Sequence, residues 1–156
     1  MKKGSSSTPK AGDASAQNSL SREGLGSSIK RTTTMRNSVI DVLDNGKTVF
    51  TTEDGSKYIG EFKDHKFHGI GELRWADGVT WYRGDYVEGA MHGKGTLKTK
   101  AGTYEGNFAH NKMHGQGTFS YVDGSTYVGA FENGERSGSG KLTYTNGSVY
   151  IGTFKV

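Results

Sequence analysis

The sequence predicts an all-β fold, an elongated single-layer antiparallel array of consecutive β-hairpins behind a disordered N-terminal tail. Three observations carry this. Tyr58-Ile-Gly-Glu-Phe62 recurs as Tyr82-Arg-Gly-Asp-Tyr86, Tyr104-Glu-Gly-Asn-Phe108, Tyr127-Val-Gly-Ala-Phe131 and Tyr150-Ile-Gly-Thr-Phe154, at steps of 24, 22, 23 and 23 residues. Such self-similarity marks a serial architecture in which each unit packs only on its neighbours. Within each unit apolar and polar residues alternate, so i, i+2 and i+4 share one face of a strand. Finally, the 156 residues include 25 Gly, 1 Pro and no Cys. That composition suits a proline-free sheet in which small residues leave room for rings. It excludes collagen, disulfide scaffolds and thiol chemistry.

Taken in order, residues 1–36 come first. They hold seven basic and two acidic side chains, a net of +5, whereas the remaining 120 residues net −1. The segment is crowded with Ser, Thr, Gly and Ala, and it is read as disordered because it cannot bury enough apolar surface to offset the entropy of ordering. Residues 37–46 are read as a linker or a short helix, since Val39, Val42 and Leu43 share a helical face ahead of Gly46. Val39-Ile40 equally suits the start of a strand. No stretch approaches the 18 apolar residues of a membrane span, and Met1-Lys2-Lys3 leads into no apolar run of the secretory kind. Position 2 is Lys, not the Gly that N-myristoylation needs. The expectation is a cytoplasmic protein.

Residues 47–156 form the array, four hairpins with a half-unit at each end. Each of the first four motifs is followed by a second signature: His68-Gly-Ile-Gly71, His92-Gly-Lys-Gly95, His114-Gly-Gln-Gly117 and Ser137-Gly-Ser-Gly140. Each then reaches a turn at Asp77-Gly78, Ala101-Gly102, Asp123-Gly124 or Asn146-Gly147, with an earlier Asp54-Gly55. Asp-Gly and Asn-Gly are read as tight type I′ hairpin turns. Period two places Tyr58, Gly60 and Phe62 on one face and Ile59, Glu61 and Lys63 on the other. On the returning strands Gly71, Leu73 and Trp75 form the apolar set, as do Gly117, Phe119 and Tyr121. About ten strands at roughly 4.8 Å make a ribbon about 45 Å long. Both ends are expected to expose an unpaired strand edge.

YxGxF, then HGxG, then DG at this spacing resembles the MORN repeat, over roughly residues 47–156. The resemblance implies an open β-hairpin array of the binding and scaffold kind. Relatives include stand-alone scaffolds of the cytoskeleton and cilium, tethers between membranes, and enzymes that carry the repeats beside a lipid kinase or methyltransferase domain. No catalytic domain is expected here, because the repeats run to the last residue; a fragment of such an enzyme is the remaining alternative.

The titratable residues do not converge on a site. His68, His92 and His114 stand one unit apart, about 10 Å at two strands per unit. That is too wide for one metal ion, which needs ligands converging on a point. The fourth rung is Ser137, and no Ser, His and Asp recur as a triad. Gly93-Lys94-Gly95 lacks the Lys-Ser/Thr of a phosphate loop. Catalytic, cofactor and metal residues are therefore expected to be none.

The aromatic face carries the functional expectation. Trp75, Trp81, Tyr86, Tyr121 and Tyr144 are candidates to line a groove, because one layer leaves its apolar side uncovered and Trp and Tyr are enriched at hot spots. Phe67, Met91 and Met113 occupy the step before each HG, with Arg136 in the fourth unit, and form a soft apolar column fit for a partner. The alternative for the rings is packing between adjacent hairpins, and for the Phe67, Met91 and Met113 column it is burial beneath the loop. Tyr150, Ile151 and Phe154 lie on the edge expected to pair with a second copy. MORN-like arrays are known to associate in this way. In the tail, Lys30, Arg31 and Arg36 are candidates to meet an anionic phospholipid surface, with Thr33 at a phosphorylatable position that would cancel the attraction. A nucleic-acid partner is not expected, since the array is neutral overall. The expected function is a non-enzymatic scaffold binding a protein partner of the cytoskeleton or cilium, and its alternative a peripheral phospholipid-binding adaptor.

Overall fold

A computed structural model of the chain describes residues 29–35 and 38–155. Twelve strands run in chain order: β1 Ile29–Met35, β2 Ser38–Leu43, β3 Thr48–Thr51, β4 Lys57–Lys63, β5 Lys66–Arg74, β6 Trp81–Val87, β7 Ala90–Thr99, β8 Gly102–Ala109, β9 Lys112–Tyr121, β10 Thr126–Glu132, β11 Glu135–Thr143 and β12 Val149–Phe154. Each pairs antiparallel with the strand before it and the strand after it, giving one open sheet without crossovers. At about 4.8 Å per strand the sheet is roughly 50 Å across. The all-β hairpin array is thus the observed fold, and it is longer at its N-terminal end than the repeats indicate.

The stretch expected as linker or short helix is a strand. Ser38–Leu43 pairs with Ile29–Met35 on one side and Thr48–Thr51 on the other. The β-branched residues Val39, Ile40 and Val42 favour this conformation. Asp41 and Leu43 are buried beside Val49, and Thr32 donates a hydrogen bond to the Asp41 carboxylate at 2.5 Å. Two expectations are corrected accordingly. The tail does not run through residue 36, because residues 29–35 are in the sheet, and β3 is not an exposed edge. The rest of the tail, including Arg36, lies outside the described residues.

The glycines explain the regularity of the array. Gly60, Gly71, Gly84, Gly95, Gly106, Gly117, Gly129, Gly140 and Gly152 face one another strand by strand from β4 to β12. Across this row lie the leading tyrosines. A Cβ built on Gly106 would sit 2.5 Å from the Tyr104 hydroxyl oxygen, 2.6 Å from the Gln116 carbonyl oxygen and 2.6 Å from the Gly117 Cα. Only hydrogen fits there. Just past each glycine the register shifts, at Gly60/Glu61, Gly84/Tyr86, Gly106/Phe108 and Gly129/Phe131. The returning strand carries the extra residues of a β-bulge, which interrupts the ladder and bends the strand. At each such step the tyrosine hydroxyl donates to the carbonyl three residues on: Tyr58 to Glu61 at 2.9 Å, Tyr82 to Asp85 at 2.9 Å, Tyr104 to Asn107 at 2.8 Å and Tyr127 to Ala130 at 2.9 Å. Motif, bulge and ring therefore form one device, repeated.

The turns differ from expectation in kind. Both central residues take positive φ at Asp64-His65, Glu88-Gly89, His110-Asn111 and Asn133-Gly134, which is the type I′ signature. These turns join each YxGxF strand to its HGxG strand. At Asp54-Gly55, Asp77-Gly78, Asp123-Gly124 and Asn146-Gly147 only the glycine has positive φ. There the preceding side chain closes the loop, as Asx turns do. Asp123 Oδ1 accepts from the Ser125 amide at 2.8 Å and its hydroxyl at 2.6 Å, and Asn146 Oδ1 does the same for Ser148 at 2.9 and 2.6 Å. Asp77 accepts from the amides of Val79 at 2.9 Å and Thr80 at 2.7 Å.

These bonds favour the carboxylate over the acid. Hydrogen bonds from the Thr80 hydroxyl and from the Thr80 and Val79 amides hold Asp77 at about 2, against 3.8 ordinarily. Asp54 and Asp123 are lowered in the same way, by Thr52 and Ser125 foremost. Because the folded values are depressed, the stabilisation is present above the ordinary carboxylate value and lost as pH falls through the lowered one, which for Asp77 is about 2. Asp77→Asn with Asp123→Asn is expected to flatten the pH 2–4 limb of thermal stability, with little change at pH 7, where Asn146 already serves the same turn. Melting temperatures of the two proteins across that range check it; parallel acid limbs would refute the assignment.

Candidate functional site

The aromatic residues of the YxGxF strands make one continuous column. Each leading tyrosine touches the last aromatic of its own unit and that of the next, from Phe62 and Tyr58 through Tyr86, Tyr82, Phe108, Tyr104, Phe131 and Tyr127 to Phe154 and Tyr150. Ring centroids are 4.8–5.3 Å apart with planes at 75–89°. Edge-to-face pairs of this kind add about 0.5–1.5 kcal/mol each beyond area burial. Tyr58, Tyr82, Tyr104 and Tyr127 are 0% exposed. Burial pushes the Tyr58 and Tyr104 phenols up to about 12.

Against this column the predicted contact residues separate. Tyr86 is 2% exposed and Met91 is buried, so both belong to the core and not to an open surface. Phe67 is half-buried and stacked on Tyr58, with centroids 3.8 Å apart and planes at 5°. The carbonyls of Phe67, Met91 and Met113 accept from the turn amides of Gly89, Asn111 and Gly134 at 2.9, 3.1 and 2.9 Å. That column is therefore the seam between successive units. Trp75 packs against the core cluster. Trp81 lies on the opposite face, in register between Arg74 and Lys98, because it precedes Tyr82 by one residue. The two tryptophans do not line one groove. Tyr144 is exposed, as are Tyr150 and Ile151, the last at 75%, while Phe154 is half-buried against Tyr127 and Tyr150. Lys30, Arg31 and Thr33 stand on β1, with Thr33 exposed.

Of the predicted set, the structure brings Met113, Tyr121 and Phe154 together. They line a concavity of about 350 Å³ on the aromatic face with Phe119, Phe131 and Arg136. Arg136 and Phe119 were not singled out by sequence reasoning as contacts; the available signal was that Arg136 breaks an otherwise apolar column. The Arg136 guanidinium lies 5.3 Å from the Phe154 ring centroid, 5.6 Å from Tyr127 and 6.0 Å from Tyr121. Of the histidines, His92 meets His110, with ring centroids 5.7 Å apart. Among the described residues no three His, Cys, Asp or Glu are grouped to hold a metal ion.

Tyr86 stands where the other units have Phe, and its hydroxyl is buried without a hydrogen-bond partner among the described residues. Such a group forfeits its hydration with nothing in return. Tyr86→Phe is expected to stabilise the protein by about 1 kcal/mol. Urea denaturation of the full chain checks this, and a loss of stability would mean that the hydroxyl has a partner in solution.

The MORN repeat family model matches residues 58–80, 82–103, 104–126 and 127–149, more than half of the chain. No curated protein matches it as a relative.

Proposed function

The chain belongs to the MORN-repeat family, and from that premise we propose that it is a non-enzymatic scaffold that seats a protein partner on its aromatic face, in a cytoplasmic cytoskeletal or ciliary assembly. MORN repeats are generally involved in binding proteins and membranes. The observation that carries the reading is the concavity at Met113, Tyr121, Arg136 and Phe154. Along the column Tyr58, Tyr82 and Tyr104 are sealed by their neighbours; at the concavity half-buried Tyr121 and Phe154 lie beside a cation, the composition of an interaction hot spot.

A photo-crosslinking residue at Tyr121, compared with one at the exposed outer-face residue Val128, tests it. Discrete adducts with cytoskeletal or ciliary proteins are expected from position 121 alone. Adducts equal at both positions, or confined to 128, would sink the reading.

Self-association through β12 is a further part of the proposal. On its described side β12 pairs with β11, and Ile151 is largely exposed. Sedimentation velocity is expected to show a concentration-dependent dimer that Ile151→Lys abolishes, as edge charges do. A wild type that sediments as a monomer throughout would exclude it. The phospholipid reading is favoured by the +5 charge of residues 1–36. Truncation before Ile29, which keeps β1, combined with neutral substitutions at Lys30, Arg31 and Arg36, would then abolish salt-sensitive co-sedimentation with phosphatidylserine vesicles.

A further inference from the structure

We infer that the concavity on the aromatic face selects a partner segment by a carboxylate set beside an apolar side chain, with Arg136 as the anchor for the carboxylate; this rests on the reading of the aromatic face as the partner surface. Four units place Phe67, Met91, Met113 and Arg136 at the same step before the bulge. In the first three the side chain is apolar, and Phe67 shows what the position does: it lies flat on the leading tyrosine of its unit. Arg136 takes the same place over Tyr127 and extends over Tyr121 and Phe154.

That arrangement leaves the guanidinium half used. Ring faces attract its positive charge but do not accept hydrogen bonds as oxygen does, and its five N–H donors form a planar fork matched to a carboxylate. Among the described residues Arg136 makes no ion pair, unlike Lys66 with Glu88 and Arg74 with Glu72. The charge lining the concavity is complementary to an acid, with Arg136 and Lys155 against Glu135. Met113, Phe119 and Phe131 supply apolar wall beside the fork. Apolar walls lower the local dielectric, which strengthens a charge-assisted bidentate pair relative to one in open water. An acid alone would gain little from the wall, and an apolar side chain alone would leave the fork unsatisfied. The two together fit.

The test uses the full chain, labelled at methionine methyls and arginine Nε, titrated with acetyl-Leu-Glu-Phe-amide, its Gln counterpart and its Lys counterpart. The Glu peptide is expected to shift the Met113 methyl and the Arg136 Nε resonances and to bind about 5–10-fold more tightly than the Gln peptide, the Lys peptide being weakest. Arg136→Met places there the side chain that the two preceding units carry, and it is expected to keep the fold while binding Glu and Gln peptides equally. Equal binding of Glu and Gln peptides by the wild type at Met113 overturns the inference and leaves the aromatic-face reading intact. So does a Glu preference that survives Arg136→Met, or a change in that variant confined to thermal stability. Failure of every peptide to move Met113 overturns both.

Discussion

Gly106→Ala is expected to destabilise the full chain by about 3 kcal/mol, at or beyond the usual range for overpacking. Two of the three atoms nearest its new Cβ are backbone, the Gln116 carbonyl oxygen and the Gly117 Cα, both at 2.6 Å, and the third is the Tyr104 hydroxyl at 2.5 Å. Neither backbone atom can swing away as a side chain does. If strands β8 and β9 part to admit the methyl, the Tyr104 ring loses the floor it lies on. The comparison is Gly134→Ala, where φ is +93° and nothing lies within 4 Å of the added carbon. That change strains one turn and costs about 1–2 kcal/mol. Urea denaturation of both variants checks the order; a Gly106→Ala loss no larger than that of Gly134→Ala would mean that the row is a matter of turn propensity and not of ring packing.

Tyr104→Ala is expected to cost about 4 kcal/mol, the scale of deleting a large buried ring. Tyr104 meets Phe108 of its own unit at 5.1 Å and Phe131 of the next at 4.8 Å, so its removal opens the contact between two units as well as one within its own. In a serial array the interface term joins neighbours. Unfolding of this variant should therefore broaden or split where the wild type unfolds in one transition. Tyr104→Phe divides the effect. It keeps the ring and removes only the hydrogen bond to the Asn107 carbonyl, a loss of about 1–2 kcal/mol. Its sign is opposite to that of Tyr86→Phe, because one hydroxyl answers a carbonyl at a bulge and the other has no partner among the described residues. Circular dichroism melts and urea curves of all three variants read this; a destabilising Tyr86→Phe equal to Tyr104→Phe would remove the distinction.

Much of the fold was legible because the motif is short and its physics local. Tyr, Gly and Phe at i, i+2 and i+4 already determine which face of a strand is aromatic, and the 22–24-residue step determines that strands recur. The I′ turns were less legible. Asp64-His65 and His110-Asn111 contain no glycine, and it is the two-residue gap between paired strands that forces positive φ on them. The conspicuous Asp-Gly pairs instead form loops closed by a side-chain oxygen. Tyr86 and Met91 were misplaced for a related reason: alternation gives the face, but the neighbouring unit decides whether that face is covered.

The sequence by itself therefore determined the serial β-hairpin plan, the aromatic and glycine faces, and the separation of a basic tail from a neutral array, since each depends on residues within one unit of each other. Three matters only the tertiary structure decided. Ser38–Leu43 is a strand because Ile29–Met35 and Thr48–Thr51 flank it, and a lone six-residue segment holds no preference strong enough to decide this. Trp75 and Trp81 stand on opposite faces because a five-residue loop returns the chain between them and pairs Trp81 with Arg74. The accessible concavity at Arg136 exists because three rings from three strands converge there, and convergence across strands is a property of register and twist that spacing along the chain does not contain.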